Sequence, residues 1–168
     1  MIWGLSTSTF TLIHVVISVI GIVTGFIVVG GMLAGKRLDA LTAVFLATTA
    51  ATSVTGFGFP IHHFAAPHIV GVISLVVLTI ALVARYALHL RGAWRWIYVV
   101  TSVIALYLNV FVGIVQAFQK VPALKALAPT QAEPPFAIAQ LAALVVFIAI
   151  AILASIRFMP AAPRRRAS

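Results

Sequence analysis

A chain of 168 residues that is 63% hydrophobic and 8% charged has too little polar surface for a soluble domain, which leaves an integral membrane protein as its class. The formal net charge of +9 falls at helix ends and in a short tail, where anionic lipid head groups are the counter-ions, so nucleic acid is not an expected partner. The absence of cysteine excludes disulfides, thiolate metal sites, iron–sulfur clusters and covalent c-type haem. With Asp39 and Glu133 as the only carboxylates, a paired-carboxylate hydrolase or a di-iron centre is excluded too.

Five segments are long and apolar enough for a hydrocarbon core of about 30 Å, which takes about 20 helical residues. They cover about 10–33, 40–59, 68–88, 96–118 and 136–157. The expected fold is therefore all-α: a polytopic five-helix transmembrane bundle over 1–159, followed by a basic tail over 160–168. The opening MIWGLSTST has no positive n-region and the apolar run after it ends at Lys36-Arg37. That polarity predicts a retained first span with its N-terminus outside, not a cleaved signal peptide. The short linker at 35–39 makes the first two helices antiparallel neighbours. Pro60 closes the second, and 61–67 forms a turn containing His62 and His63. The third runs to Arg85, Tyr86 and His89, and the aromatic–arginine cluster Trp94-Arg95-Trp96-Ile97-Tyr98 marks an interface at the start of the fourth. The one sizeable loop, 119–135, predicts a short surface helix after Pro122, and Glu133 is placed to face the positive end of the fifth span.

Sorting the cations by side gives the orientation. Lys36, Arg37, Arg85, Arg91, Arg95, Arg157, Arg164, Arg165 and Arg166 share one face, and Lys120 and Lys125 lie on the other. Lys/Arg bias in short loops puts the first face in the cytoplasm. The expected location is the bacterial inner membrane, multi-pass, with the C-terminus cytoplasmic.

Polar residues inside the spans need a protein partner or a water-filled cavity. Thr7, Thr11, His14, Ser18, Gly21 and Gly25 recur at helical spacing in the first span, and Gly21, Gly25, Gly31 and Gly35 would let another helix come close. These glycines are the expected contact for a homo-oligomer or a larger complex. The hydroxyls of Thr48, Thr49, Thr52, Ser53 and Thr55 are read first as helix packing, because each can bond back to its own helix. Ser102, Asn109 and Gln116 make a heptad stripe on the fourth span, and Gln140 lies a turn inside the fifth. Interhelical hydrogen bonding explains them at about 0.6 kcal/mol per contact; the functional reading is an outward polar cavity lined by Asn109, Gln116 and Gln140 with His14 and His68.

His14 and His68 are expected at similar depth on different helices, the arrangement that ligates a b-type haem or another metal. The plainer alternative is two buried histidines bonded to Thr or Gln. His68 and His89 are 21 positions apart, about 31 Å along a helix, too far to share one iron. Addition of His62 and His63 makes a candidate Zn²⁺ or Cu²⁺ site on the outer face, although adjacent turn histidines rarely share an ion and no HExxH spacing is present. There is no nucleophile–base pair, phosphate loop or acidic dyad, so no catalytic residue is assigned and an enzyme is not expected.

TSVTGFGFP at 52–60, PHIVGVISLVVLTIALVARY at 67–86 and the long stretch GAWRWIYVV…QAFQKVPALKALAPTQAEPPFAIAQ at 92–140 resemble a recurring group of small bacterial multi-pass inner-membrane proteins with no established activity. The resemblance implies a bacterial membrane protein and draws attention to the 119–135 loop, with Gln116, Lys120, Glu133 and Gln140, without giving them roles. The favoured function is binding or conduction of a small molecule or ion through the outward polar site. A single-haem b electron carrier using His14 and His68 is the alternative, and an accessory subunit of a larger membrane complex is a third reading.

Overall fold

Ser6 starts the first helix: its hydroxyl accepts the Thr9 amide at 3.1 Å, satisfying a donor that the first turn leaves open. The helix α1 therefore begins at Thr7, ahead of the apolar run, and continues to Leu33. It ends in a Schellman turn, with Lys36 N–H on the Gly31 carbonyl at 2.8 Å and Gly35 N–H on Met32 at 3.0 Å. Gly35 takes the left-handed φ of +68° that this turn requires. The computed structural model describes residues 1–59 and 66–158, with 66–68 as backbone alone. His62, His63, the His68 side chain and the 160–168 tail lie outside the described residues.

The remaining elements are α2 (Asp39–Gly56), α3 (Ala66–Leu82) continued by a π-helical turn (Val83–Ala87), α4 (Trp94–Lys120), the short α5 (Pro122–Leu127) and α6 (Pro134–Arg157). Among the described residues there is no strand, only an isolated Ile2–Leu5 bridge. The all-helical class expected from the sequence is what the chain adopts. α2 ends at Gly56, earlier than Pro60 predicts, because Gly58 N–H turns back onto the Thr55 carbonyl at 3.0 Å.

α1 and α2 run antiparallel in close register. His14 meets Thr55, Gly21 meets Thr48 and Thr49, Gly25 meets Phe45, and Gly31 meets Leu38. A Cβ on Gly25 would lie 2.6 Å from Leu106 Cδ1 and 2.8 Å from Phe45 Cε2. Gly21, Gly25 and Gly31 are buried inside this chain, and the close approach they permit here is between its own helices. Gly35 faces the Arg157 carbonyl of α6, also within the chain. α4 is the central helix: Tyr98, Val99, Val103, Ala105 and Leu106 are buried against α1, α2, α3 and α6.

The two ends of the bundle differ chemically. At the end where α1 finishes and α4 begins, Arg85 is 5% exposed, where a lipid-facing arginine was expected. Its guanidinium donates to Asp39 at the start of α2 and lies 5.1 Å from the Tyr98 ring centre. The π turn inserts a residue into the helix and aims Arg85 inward. His89 and Leu90 then take left-handed φ of 50° and 57°, which returns Leu90 to the core. Tyr98 is thus a core ring beneath a cation, while Trp94 and Trp96 stay exposed. Arg95 donates to the Phe158 carbonyl at the last turn of α6, where a cation is favoured.

Among the described residues, four helical segments are long and apolar enough to cross a membrane: Thr7–Leu33, Ile69–Ala87, Trp94–Lys120 and Pro134–Arg157. The expected second span is not one of them. Its hydroxyls lower its hydropathy, and half of the six return their hydrogen bonds to their own helix: Thr48 to Val44, Ser53 to Thr49 and Thr55 to Ala51. Apolar side chains are widely exposed along α1, α3 and α6, with Ile138, Leu141 and Ile156 each above 60%. A surface of that extent marks a lipid-facing protein.

Candidate functional site

At the end of the bundle carrying the N-terminus and Lys120, the helices separate around a cavity of about 720 Å³. α1 supplies Thr11, His14, Val15, Ser18, Val19 and Ile22, one face at three- and four-residue spacing. α4 supplies the opposing face, from Leu108 and Asn109 through Val112, Gly113 and Gln116 to Lys120 and Val121. α2 and α3 close one side with Thr52, Ser53, Gly56, Val70, Gly71 and Ser74. The volume falls within the range of about 300–1,000 Å³ usual for small-molecule sites. Its wall is predominantly apolar with a few polar groups, as such sites are.

Asn109 forms the floor. Its amide donates to Thr49 Oγ1 at 3.2 Å, and Gly21 lies against both groups. One turn further down, Gly25, Phe45 and Leu106 pack in direct contact, so the cavity stops at mid-bundle. His14 is half-way up the wall, with Nδ1 2.8 Å from Thr55 Oγ1. The Thr55 hydroxyl also lies 2.7 Å from the Ala51 carbonyl, which can only accept. With that hydroxyl donating to Ala51, the imidazole is the donor in the first contact, and that tautomer leaves Nε2 unprotonated. Above it, Phe59 stacks edge-on against both His14 and Phe10, at 5.2 and 5.1 Å, and Trp3 packs on Phe10 at 5.3 Å. Among the described residues, Thr52 Oγ1 is buried without a hydrogen-bond partner.

His14, Asn109 and Gln116 thus line one cavity. Gln140 does not line it. It lies on the flank of α4 that faces α6, where its amide donates to the Phe111 carbonyl at 3.2 Å and its oxygen is buried unpaired. Asn109 and Phe111 are about 200° apart around a helix, so a partner of Phe111 is turned away from the cavity. His68 Nε2 and Nδ1, His62 and His63 fall outside the described residues, so the proposed histidine pair is not formed by any described contact. Among the described residues, no three His, Cys, Asp or Glu side chains cluster to hold a metal. Lys120, singled out in the sequence only as part of the 119–135 loop, is also on the cavity wall. It stands four residues beyond Gln116 on the same face, and that periodicity was the available signal.

The loop beside the mouth is held by Glu133, whose carboxylate accepts the Thr130 hydroxyl at 2.8 Å, the Thr130 amide and the Ala132 amide. Desolvation, the largest single influence, pushes its pKa up, but the Thr130 hydroxyl and the backbone amides of Glu133, Thr130 and Ala132 together outweigh it and hold the carboxyl below its ordinary value. Glu133 occupies the N-cap of α6 without a side-chain bond into the helix; its carboxylate ties the preceding turn instead. Gln131 donates to the Val115 carbonyl at 2.9 Å and fastens the loop to α4.

Comparison of the chain with protein-family models, curated proteins and solved structures returns no match.

Proposed function

We propose that this chain is a five-span bacterial inner-membrane protein that binds a lipophilic small molecule in the cavity between α1 and α4, without catalysis. The observation that carries the reading is the cavity itself, about 720 Å³ of mainly apolar wall punctuated by His14, Asn109, Gln116 and Lys120. Binding is favoured over conduction because Asn109, Thr49 and Gly21, then Gly25, Phe45 and Leu106, fill the bundle below it. α2 counts as a span in this reading. Its 18 residues measure about 27 Å, and it pairs with α1 from Thr55 to Leu38. The basic end then faces the cytoplasm and the cavity opens outward.

Native mass spectrometry with monoolein, a neutral single-chain amphiphile, tests this. One adduct per chain is expected, and Gly113→Trp should abolish it. A Cβ at Gly113 meets only Ile22 Cδ1 at 3.9 Å, so the indole has room to enter the cavity without disturbing the fold. No adduct, or an undiminished one in Gly113→Trp, overturns the reading.

A second reading is supported by the free Nε2 of His14. An imidazole whose Nδ1–H is fixed by Thr55 is oriented as a haem or metal ligand would be, with His68 on α3 as the partner. A Soret band in the purified protein, lost in His14→Ala and in His68→Ala, would establish it. A colourless protein without bound metal removes it.

A further inference from the structure

Resting on the reading of the cavity as a ligand site, we propose that its ligand is a single-chain, long-chain carboxylate of the fatty-acid class, entering sideways from one leaflet with its head group at Lys120 and its tail on Asn109.

Charge selects the head group. Among the described residues, Lys120 is the one charged side chain on the cavity wall. The chain has two carboxylates, and both are engaged elsewhere: Asp39 with Arg85 and Arg37, and Glu133 with Thr130 and Ala132. The ammonium at the rim therefore has no carboxylate of its own within ion-pair distance among the described residues, and an anionic ligand completes it. Gln116, one turn deeper on the same face, adds an amide that donates to a carboxylate oxygen.

Length selects the tail. Lys120 and Asn109 are 11 positions apart on α4, about 16 Å of helix. That is about half of a 30 Å hydrocarbon core, the depth of one leaflet's acyl chains. Along this distance Val15, Val19 and Ile22 of α1 face Leu108, Val112 and Gly113 of α4.

Access is lateral. α6 contributes no residue to the cavity wall; α1 and α6 meet lower down, where the Phe26 and Phe147 rings are 6.1 Å apart. Val15 and Val19 line the cavity and yet are 42% and 52% exposed. The cleft between α1 and α4 thus lies open on that side among the described residues. An acyl chain passes from the bilayer into the cavity without leaving an apolar medium, while its head group stays at the level of the interface.

Native mass spectrometry of the full chain with oleate, methyl oleate, oleylamine and dioleoylphosphatidylglycerol tests the proposal. One oleate per chain is expected, bound about tenfold more tightly than the ester or the amine. Lys120→Gln should erase that preference and Lys120→Arg should keep it. Lys120 is exposed, so neither change threatens folding. Equal binding of ester, amine and acid overturns the proposal, as does an unchanged preference in Lys120→Gln, or displacement of oleate by the phospholipid at equal concentration. If monoolein still binds and Gly113→Trp removes it, the cavity reading survives such a result and the carboxylate assignment alone falls. If no amphiphile binds, both fall.

Discussion

Asn109 of α4 donates its amide to Thr49 of α2 across the bundle, 3.2 Å apart, and this bond divides an open cavity from a packed core. Thr49 is fully buried and Asn109 nearly so. Thr49→Val keeps the volume and removes the acceptor. Interhelical hydrogen bonds in membranes average about 0.6 kcal/mol and reach about 1.7, so a loss of about 1 kcal/mol is expected in denaturant-induced unfolding. A loss several times larger would mean that the floor collapses as a unit rather than losing one bond.

Gly25 is the tightest approach of α1 to the core. A methyl there overlaps Leu106 and Phe45, and overpacking of this kind costs about 1–3 kcal/mol. Gly25→Ala should therefore lower stability by that amount, and Leu106→Ala in the same chain should recover part of it. Gly30→Ala is the control: nothing lies within 4 Å of its added Cβ, and the better helix former should be neutral or slightly stabilising. Equal effects at Gly25 and Gly30 would contradict the packing.

Arg85 and Asp39 join the end of α3 to the start of α2 with unequal burial: the arginine side chain is 4% exposed and the aspartate side chain 73%. Breaking a fully buried pair costs about 3–5 kcal/mol, and an exposed one about 0–1. Water reaches Asp39, so Asp39→Asn should cost about 1–2 kcal/mol. Arg85→Ala should cost more, because it also removes the guanidinium that lies over the Tyr98 ring. Thermal unfolding of the two variants ranks them; the reverse order would place the stabilisation in the carboxylate alone.

Glu133 makes the α5–α6 loop sensitive to acid. Its pKa is lowered in the folded chain, so its contribution is complete above the ordinary carboxylate pKa of about 4.3 and is lost as pH falls through the lower folded value. Hydrogen-exchange protection of the Thr130 and Ala132 amides, corrected for intrinsic rates, should disappear in that acid window and be absent throughout in Glu133→Gln. Protection that does not respond to either change would contradict the carboxylate's role.

The proposed orientation has its own check. Reporter fusions within 123–132 should behave as periplasmic and fusions after Ser168 as cytoplasmic; the opposite pattern reverses the bundle.

The helical class, the antiparallel start and the charge difference between the two ends were legible in the sequence, since apolar length and cation placement are local properties. So was the cavity face of α4, where Asn109 and Gln116 share one stripe. Gln140 was misplaced because depth along a helix says nothing about its rotation; its neighbour turned out to be Phe111, on the far side of α4. Arg85 and Tyr98 read as interfacial because their buried partner depends on the π turn at Val83–Ala87, which leaves no periodicity signal. α2 is a different case. Its hydroxyls read as packing, and back-bonding to its own carbonyls is what Thr48, Ser53 and Thr55 do, but the same hydroxyls keep it below the hydropathy of a self-evident span.

Photolabelling bears most directly on the proposed lipid site. A diazirine-bearing fatty acid, incorporated into vesicles with the intact protein and followed by peptide mapping, should mark 11–22 of α1 and 108–121 of α4 above all other segments, and Gly113→Trp should remove that excess. Labelling spread evenly over the exposed faces, with Ile138, Leu141 and Val145 of α6 marked as strongly as the cavity and no change in Gly113→Trp, would show a protein merely bathed in lipid.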